Sequence, residues 1–208
     1  MNKTLILIGG KEKYHDILTA GYFLQNILIN KGIAAHLSQD FTILEEERIY
    51  DFNLIIFYTQ EKLLSKNEQT GLMKFVKSGG GFIPLHAANV INENNQQTYK
   101  KLVGSLFKYH EPFTRFKVNI SENHYITKGI EDFFIEDEPY ESKLISKPEK
   151  VLAQFEQNGK LHPLVYIKKI GQGKICYIAL GHDGRAWYNP KFQKILFRGS
   201  RWAAGATN

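Results

Sequence analysis

The residues from which chemistry could be built in this 208-residue sequence are seven histidines, one cysteine and a few carboxylates. In an open parallel sheet, ligands bind outside the carboxyl ends of the strands, where helix N-termini present their N–H groups. Applied to the histidines, that rule selects three. His15 follows the first apolar run and begins a helix, His86 directly follows Leu85, and His182 directly follows the strand ending Ala179-Leu180 and its Gly181. If the strand ending at Leu180 runs parallel to the first, the three converge on one rim, where imidazoles serve as acids, bases or metal ligands. His110, ahead of Glu111-Pro112, can reach the same rim. His36 within an apolar strand, and His124 and His162 beside strand starts, read as structural.

Asp137-Glu138-Pro139-Tyr140 sets two carboxylates and a phenol in what reads as a loop. Such a pair works as acid and base when its environments separate the two pKa values, or it binds a hard cation through oxygen; a solvated acidic loop is the bland alternative. Arg115, at a strand start, could hold a substrate carboxylate or hydroxyl. Trp187 and Tyr188, after Gly181-His-Asp-Gly184, offer a platform of the kind that stacks on sugar rings, with a core tryptophan as the competing account. Tyr14 and Tyr140 extend the aromatic set for a ligand. A single cysteine, Cys176, excludes an internal disulfide and any cysteine-rich zinc or iron–sulfur site. Any metal must therefore rely on His, Asp and Glu; His86, His182 and His15 are the candidate ligands, and an open three-ligand site would suit Zn²⁺.

The elements that must position these side chains follow from periodicity. Thr4–Ile8 is a continuous apolar run ending in Gly9-Gly10, the pattern of a strand buried on both faces. From Tyr14 to Lys31 the apolar stripe predicts a helix stopped by Gly32. Strands are expected over 33–37, 53–58 and 82–85, with Ser65-Lys-Asn-Glu68 as the capping box of an intervening helix. Pro84 is awkward in a central strand, because proline cannot donate to the ladder, and suggests an edge or a bulge. Further strands are expected over 115–121, 151–157, 164–168 and 174–180, the last two joined as a hairpin through Lys169–Gly173. Asn189-Pro190 caps a final helix. The βαβ order implies an α/β fold with a three-layer, doubly wound, mainly parallel sheet and added antiparallel strands in the C-terminal half. With no repeat or linker, residues 1–208 read as one domain.

The charge of +6 is dispersed: residues 1–104 carry 11 basic and 10 acidic side chains, residues 105–208 carry 16 and 11, without a basic run. That argues against nucleic acid as partner. No stretch approaches the ~20 apolar residues that span a bilayer, and the apolar run near the N-terminus is too short for a signal peptide, so a cytoplasmic protein without a membrane partner is expected. Homo-oligomerisation is left open.

Taken in order, Gly79-Gly-Gly-Phe-Ile-Pro-Leu-His-Ala-Ala88, Gly104-Ser-Leu-Phe-Lys-Tyr-His110, His124-Tyr-Ile-Thr-Lys-Gly-Ile130, Asp137-Glu138 with Tyr140, Gly173-Lys-Ile-Cys-Tyr-Ile-Ala-Leu-Gly-His182, Trp187, Asn189-Pro190 and Trp202-Ala-Ala-Gly205 resemble the ThuA-like (trehalose utilisation) family over nearly the whole chain. Tyr125 departs from that pattern, where a proline commonly follows the histidine. The resemblance implies a class I glutamine amidotransferase-like (flavodoxin-like) fold and a link to carbohydrate catabolism. In amidotransferases of that fold the turn after the fourth strand carries a nucleophilic cysteine; here that turn carries His86, while Cys176 lies mid-strand, so glutamine hydrolysis is not expected. Two functions remain. One is a sugar-active hydrolase, lyase or isomerase acting on a sugar or keto-sugar, with His86, His182, Asp137 and Glu138 as catalytic groups and His15, Tyr14, His110, Arg115, Tyr140 and Trp187 binding substrate. The other is a non-catalytic sugar-binding or regulatory module that kept the cleft.

Overall fold

The computed structural model describes residues 3–206. The chain opens with β1 (Lys3–Gly10) and α1 (Ile17–Ile29), whose first turn is capped by the Asp16 carboxylate accepting from the Thr19 N–H at 3.0 Å. β2 (Ala34–Ser38) follows, then two 3₁₀ turns over Phe41–Glu45 and Glu47–Asp51, and β3 (Leu54–Gln60), buried at every residue. α2 (Lys66–Lys77) starts with the expected capping box: Ser65 Oγ accepts from the Glu68 N–H, and Glu68 accepts from the Ser65 N–H. β4 (Gly81–Leu85) leads into a 3₁₀ turn, His86–Asn89, and α3 (Gln97–Val103).

The second half is mostly strand: β5 (Ser105–His110), β6 (Thr114–Ile120), β7 (Phe133–Asp137), β8 (Tyr140–Leu144), β9 (Lys150–Gln157), β10 (Lys160–Ile170) and β11 (Gly173–Ile178). A single turn of helix, α4 (Gly184–Trp187), and α5 (Pro190–Ala203) close the chain, with Asn189 Oδ1 accepting from the Lys191 and Phe192 N–H groups.

One nine-stranded sheet has the order β2-β1-β3-β4-β11-β10-β9-β6-β7. β2, β1, β3, β4 and β11 run parallel, and β10, β9, β6 and β7 extend the sheet antiparallel. The architecture is thus mixed α/β, as expected. The parallel pairing of β11 with β4 matters most for chemistry, because it places the ends of β1, β4 and β11, and with them His15, His86 and His182, on the same sheet edge.

Three expectations are corrected. Pro84 lies neither at an edge nor at a bulge: β4 is central, with Phe57 opposite Pro84 on the β3 side. On the β11 side the strands meet only at Phe82–Ile175 and Leu85–Ile178, so the missing N–H falls where there is no ladder bond to lose. Asp137 and Tyr140 are not loop residues; they end β7 and begin β8, leaving only Glu138 and Pro139 between the strands. β5, β7, β8 and α3 are absent from the periodicity reading. β5 and β8 form a separate two-stranded ribbon of mixed burial, whereas β7 does alternate, but with an aspartate at its last inward position, which masks the pattern.

Close packing between α2 and the first 3₁₀ turn depends on Gly71, where a Cβ would stand 1.7 Å from the Leu44 carbonyl oxygen. Gly71→Ala should therefore destabilise the protein by about 2 kcal/mol despite the better helix propensity of alanine. By thermal denaturation the Tm should fall by roughly 4–8 °C; an unchanged or raised Tm would show that the turn moves aside freely.

Candidate functional site

β1 turns at Gly10, whose φ of 103° suits glycine and whose Cβ would strike the Gln60 carbonyl oxygen at 1.9 Å. That close approach holds the following loop against the end of β3 and delivers His15 beside Gln60. The His15 Nδ1 donates to Gln60 Oε1 at 2.6 Å, with both side chains buried. Burial first, and the neighbouring His86 second, lower the His15 pKa to about 3, so this ring is neutral at physiological pH.

His86 occupies a strained position. Directly after β4 its φ is 51°, in the left-handed region that a non-glycine residue rarely adopts, and its side chain is fully buried. Neighbours hold it there: His86 Nδ1 donates to the Ala179 carbonyl at 2.7 Å, and the Tyr177 hydroxyl donates to the His86 carbonyl at 3.1 Å. With Nδ1 committed, Nε2 is the free nitrogen of the neutral ring, and it lies 2.9 Å from His15 Nε2.

The third imidazole is set by a buried carboxylate. Asp137 Oδ2 accepts from the Gly181 N–H at 2.7 Å, and its Oδ1 accepts from the His182 and Glu138 N–H groups at 3.1 and 2.9 Å. Burial raises the Asp137 pKa, against the pull of His86 and of those three N–H bonds. The Tyr58 hydroxyl closes the same turn by donating to the Gly181 and His182 carbonyls at 3.1 and 3.0 Å, and the Trp187 indole N–H donates to the Gly181 carbonyl at 2.8 Å.

Glu138 is thereby brought to the centre of the site. Its Oε2 lies 3.1 Å from His182 Nδ1 and 3.5 Å from His86 Nε2, and its Oε1 lies 3.7 Å from His110 Nε2. Burial alone would raise this carboxyl, yet the His182 and His86 imidazoles hold it well below the usual carboxylate range. Burial likewise disfavours the charged His182 ring, but Glu138 outweighs it and raises the imidazole pKa. His15, His86, His182 and Glu138 each offer one atom to a group lying within 4.8 Å. Glu138 Oε2 and His182 Nδ1 are buried without a hydrogen-bond partner.

Above this cluster opens a cavity of about 450 Å³, with His15 and Glu138 at its floor and Tyr14, Phe107, His110 and Tyr140 among its walls. His110 stacks on Tyr140 with centroids 5.3 Å apart, and its Nδ1 donates to the Glu111 carbonyl at 2.8 Å.

Of the residues expected here, His15, His86, His182, His110, Glu138, Tyr14 and Tyr140 come together. Asp137 faces backbone amides behind the site and does not touch the cavity; it is a positioning residue. Trp187 is not a platform: only 5% exposed, it stacks on Phe23. Arg115 is exposed on β6, its guanidinium over Phe134 and opposite Glu136, away from the cavity. Cys176 is buried mid-strand, its thiol pushed up to about 12 by burial, so no thiol nucleophile faces the cleft. Gln60 and Tyr58 went unrecognised. The rule that selected the histidines, a polar residue at the carboxyl end of a buried parallel strand, applies equally to Gln60.

Comparison with known proteins agrees with this geometry. A family model described as "ThuA: Trehalose utilisation" matches residues 3–203. The fold is similar to that of a ThuA-like protein from Parabacteroides merdae, with a TM-score of 0.85 and 19% identity over 98% of this chain and 90% of that one. It is also similar to a ThuA-like protein from Bacteroides uniformis, at a TM-score of 0.82 and 20% identity over 97% and 91%. A GMP synthase protein from Thermoplasma acidophilum aligns at a TM-score of 0.63 and 12% identity over 99% and 95%, which fits an amidotransferase-like fold. No curated protein matches the sequence. No helix among the described residues is long and apolar enough to cross a membrane.

If Asp137 is the clamp that holds the His182 turn, Asp137→Ala leaves three N–H groups without their acceptor. The variant should lose about 3 kcal/mol of stability in chemical denaturation; a loss below about 0.5 kcal/mol, the range of ordinary surface changes, would show that the turn holds itself.

Proposed function

The chain belongs to the ThuA (trehalose utilisation) family, and from that premise we propose that it is an enzyme acting on a sugar or keto-sugar derivative in the histidine-floored cavity, assisted by a divalent metal ion, best Zn²⁺. The observation that supports this reading is the pair of facing nitrogens. His86 Nδ1 donates to a backbone carbonyl and His15 Nδ1 to an amide oxygen, so in the neutral rings two Nε2 lone pairs meet at 2.9 Å. That contact is repulsive unless a cation lies close by. A shared proton would relieve one pair, but here two further acceptors, Glu138 Oε2 and His182 Nδ1, are buried without partners beside them. A set of imidazole and carboxylate donors within 4.8 Å suits zinc, and ligating histidines typically donate their other N–H to a carbonyl or similar acceptor, as His15 and His86 do.

His15, His86 and His182 would hold the ion, and Glu138 stands beside them as the anionic group. Zinc when bound polarises a substrate oxygen and acidifies bound water. The chain's own contribution is positional and basic. Glu138, kept ionised, presents Oε1 on the His110 side of the cavity, where it can take a proton from a substrate hydroxyl or a water and return it to the leaving oxygen. Tyr14, Phe107 and Tyr140 supply aromatic faces against which a sugar ring packs, and the walls keep bulk water from the floor.

Protein purified without added metal or chelator should carry about one zinc per chain by elemental analysis, and chelation should lower its Tm. His86→Gln with His182→Gln should abolish zinc retention and turnover in a screen of disaccharides and their keto derivatives. Metal-free protein that is stabilised by a sugar yet turns none over would instead be a binding module. Because Glu138 raises the His182 imidazole, protons compete with the ion at that nitrogen from a higher pH than at an ordinary histidine, so zinc affinity should weaken as pH falls through that range. An affinity independent of pH from 8 down to about 5 would exclude His182 as a ligand.

A further inference from the structure

Beside the histidine cluster, the cavity has one feature that the reaction proposed above does not use. In a regular strand successive side chains point to opposite faces, so Phe107 and Lys108 should not share a cavity. Both line it, together with His110. The reason is a break in the β5–β8 register. Phe107 pairs with Ser142 and Tyr109 with Glu141, so Lys108 is an extra residue opposite no partner, a β-bulge. Bulges occur next to active sites, where they re-aim a side chain. This one turns Lys108 into the cavity between Phe107 and His110 and leaves Tyr109 49% exposed outside.

The electrostatics of the walls sharpen the point. Glu61, the other acidic residue lining the cavity besides Glu138, is ion-paired with Lys11 at 2.7 Å. Lys108 makes no hydrogen bond or ion pair with any described residue. The floor therefore consists of acceptors facing one another, and one wall offers an ammonium group without a partner. An ammonium on a flexible stem serves as a point charge for carboxylate or phosphate.

We infer that Lys108, aimed by the β5 bulge, binds an anionic substituent of the substrate, so that the protein acts on a sugar acid or a phosphorylated sugar in preference to a neutral sugar. The inference rests on the carbohydrate reading of the same cavity. The substrate then spans the cavity, its reacting oxygen at the floor by Glu138 and its carboxylate or phosphate at Lys108. The residue sets specificity and takes no part in the proton transfer.

Calorimetric titration of the zinc-loaded protein with D-glucose, D-glucuronate and D-glucose 6-phosphate tests this. At least one anion should bind about tenfold or more tightly than glucose, and which one does so separates a carboxylate from a phosphate site. Lys108→Met should lose that margin while keeping the zinc content of the wild type, and Lys108→Arg should retain most of it. Equal affinity for glucose and both anions would overturn the inference and leave the carbohydrate reading standing. So would a margin that survives in Lys108→Met, since the anion would then be held by the floor. Zinc-loaded protein that binds none of the three overturns both.

Discussion

The site depends on a buried carboxylate. Asp137 is the last residue of β7, at one edge of the nine-stranded sheet, yet its two oxygens accept from Gly181, His182 and Glu138. The turn after β11, near the middle of the sheet, is thereby tied to the outermost strand. A carboxylate without solvent is costly, and burial raises its pKa accordingly. Three N–H donors offset that cost, and in return the same group orients an imidazole and a carboxylate that must stand about 3 Å apart. Tyr58 and Trp187, bonded to the carbonyls of the same turn, leave it little freedom.

A second constraint is local. His86 takes a φ of 51° immediately after a fully buried strand, a conformation that costs of order 1–3 kcal/mol and persists only when the surroundings over-determine it. Here the Ala179 carbonyl and the Tyr177 hydroxyl do so, both from the β11 segment that pairs with β4 in parallel. Strand pairing, the strained turn and the orientation of the ring are therefore one arrangement. The aligned acceptors beneath the cavity follow from it, and they are what makes a cation at this point physically reasonable.

The histidine rim was legible in the sequence because it needs only local rules. A buried run marks a strand, and the residue after it stands at the carboxyl end. His15, His86 and His182 all met that description. Glu138 was legible only as half of a carboxylate pair, and the two halves proved to be different: Glu138 faces the imidazoles, whereas Asp137 turns the other way to serve backbone amides. Adjacent residues at the end of a strand point to opposite sides, but that argument requires knowing that β7 is a strand, and the inward aspartate concealed it. Arg115 and Trp187 were misread for a related reason, since exposure and stacking partners depend on contacts distant in sequence, with Phe134 for one and Phe23 for the other.

What the sequence determined by itself was the α/β order, the buried parallel strands, the helix caps, the absence of a cysteine nucleophile at the turn after β4 and the set of imidazoles from which a site could be made. Each of these is written in period, capping chemistry or residue identity within a few positions. Only the tertiary structure decided which groups meet. The parallel pairing of β11 with β4, the reach of β7 to the Gly181 turn and the bulge that aims Lys108 depend on strand register between segments far apart in the chain. Register is fixed by the packing of whole faces and by backbone hydrogen bonds between distant segments, which no local pattern encodes.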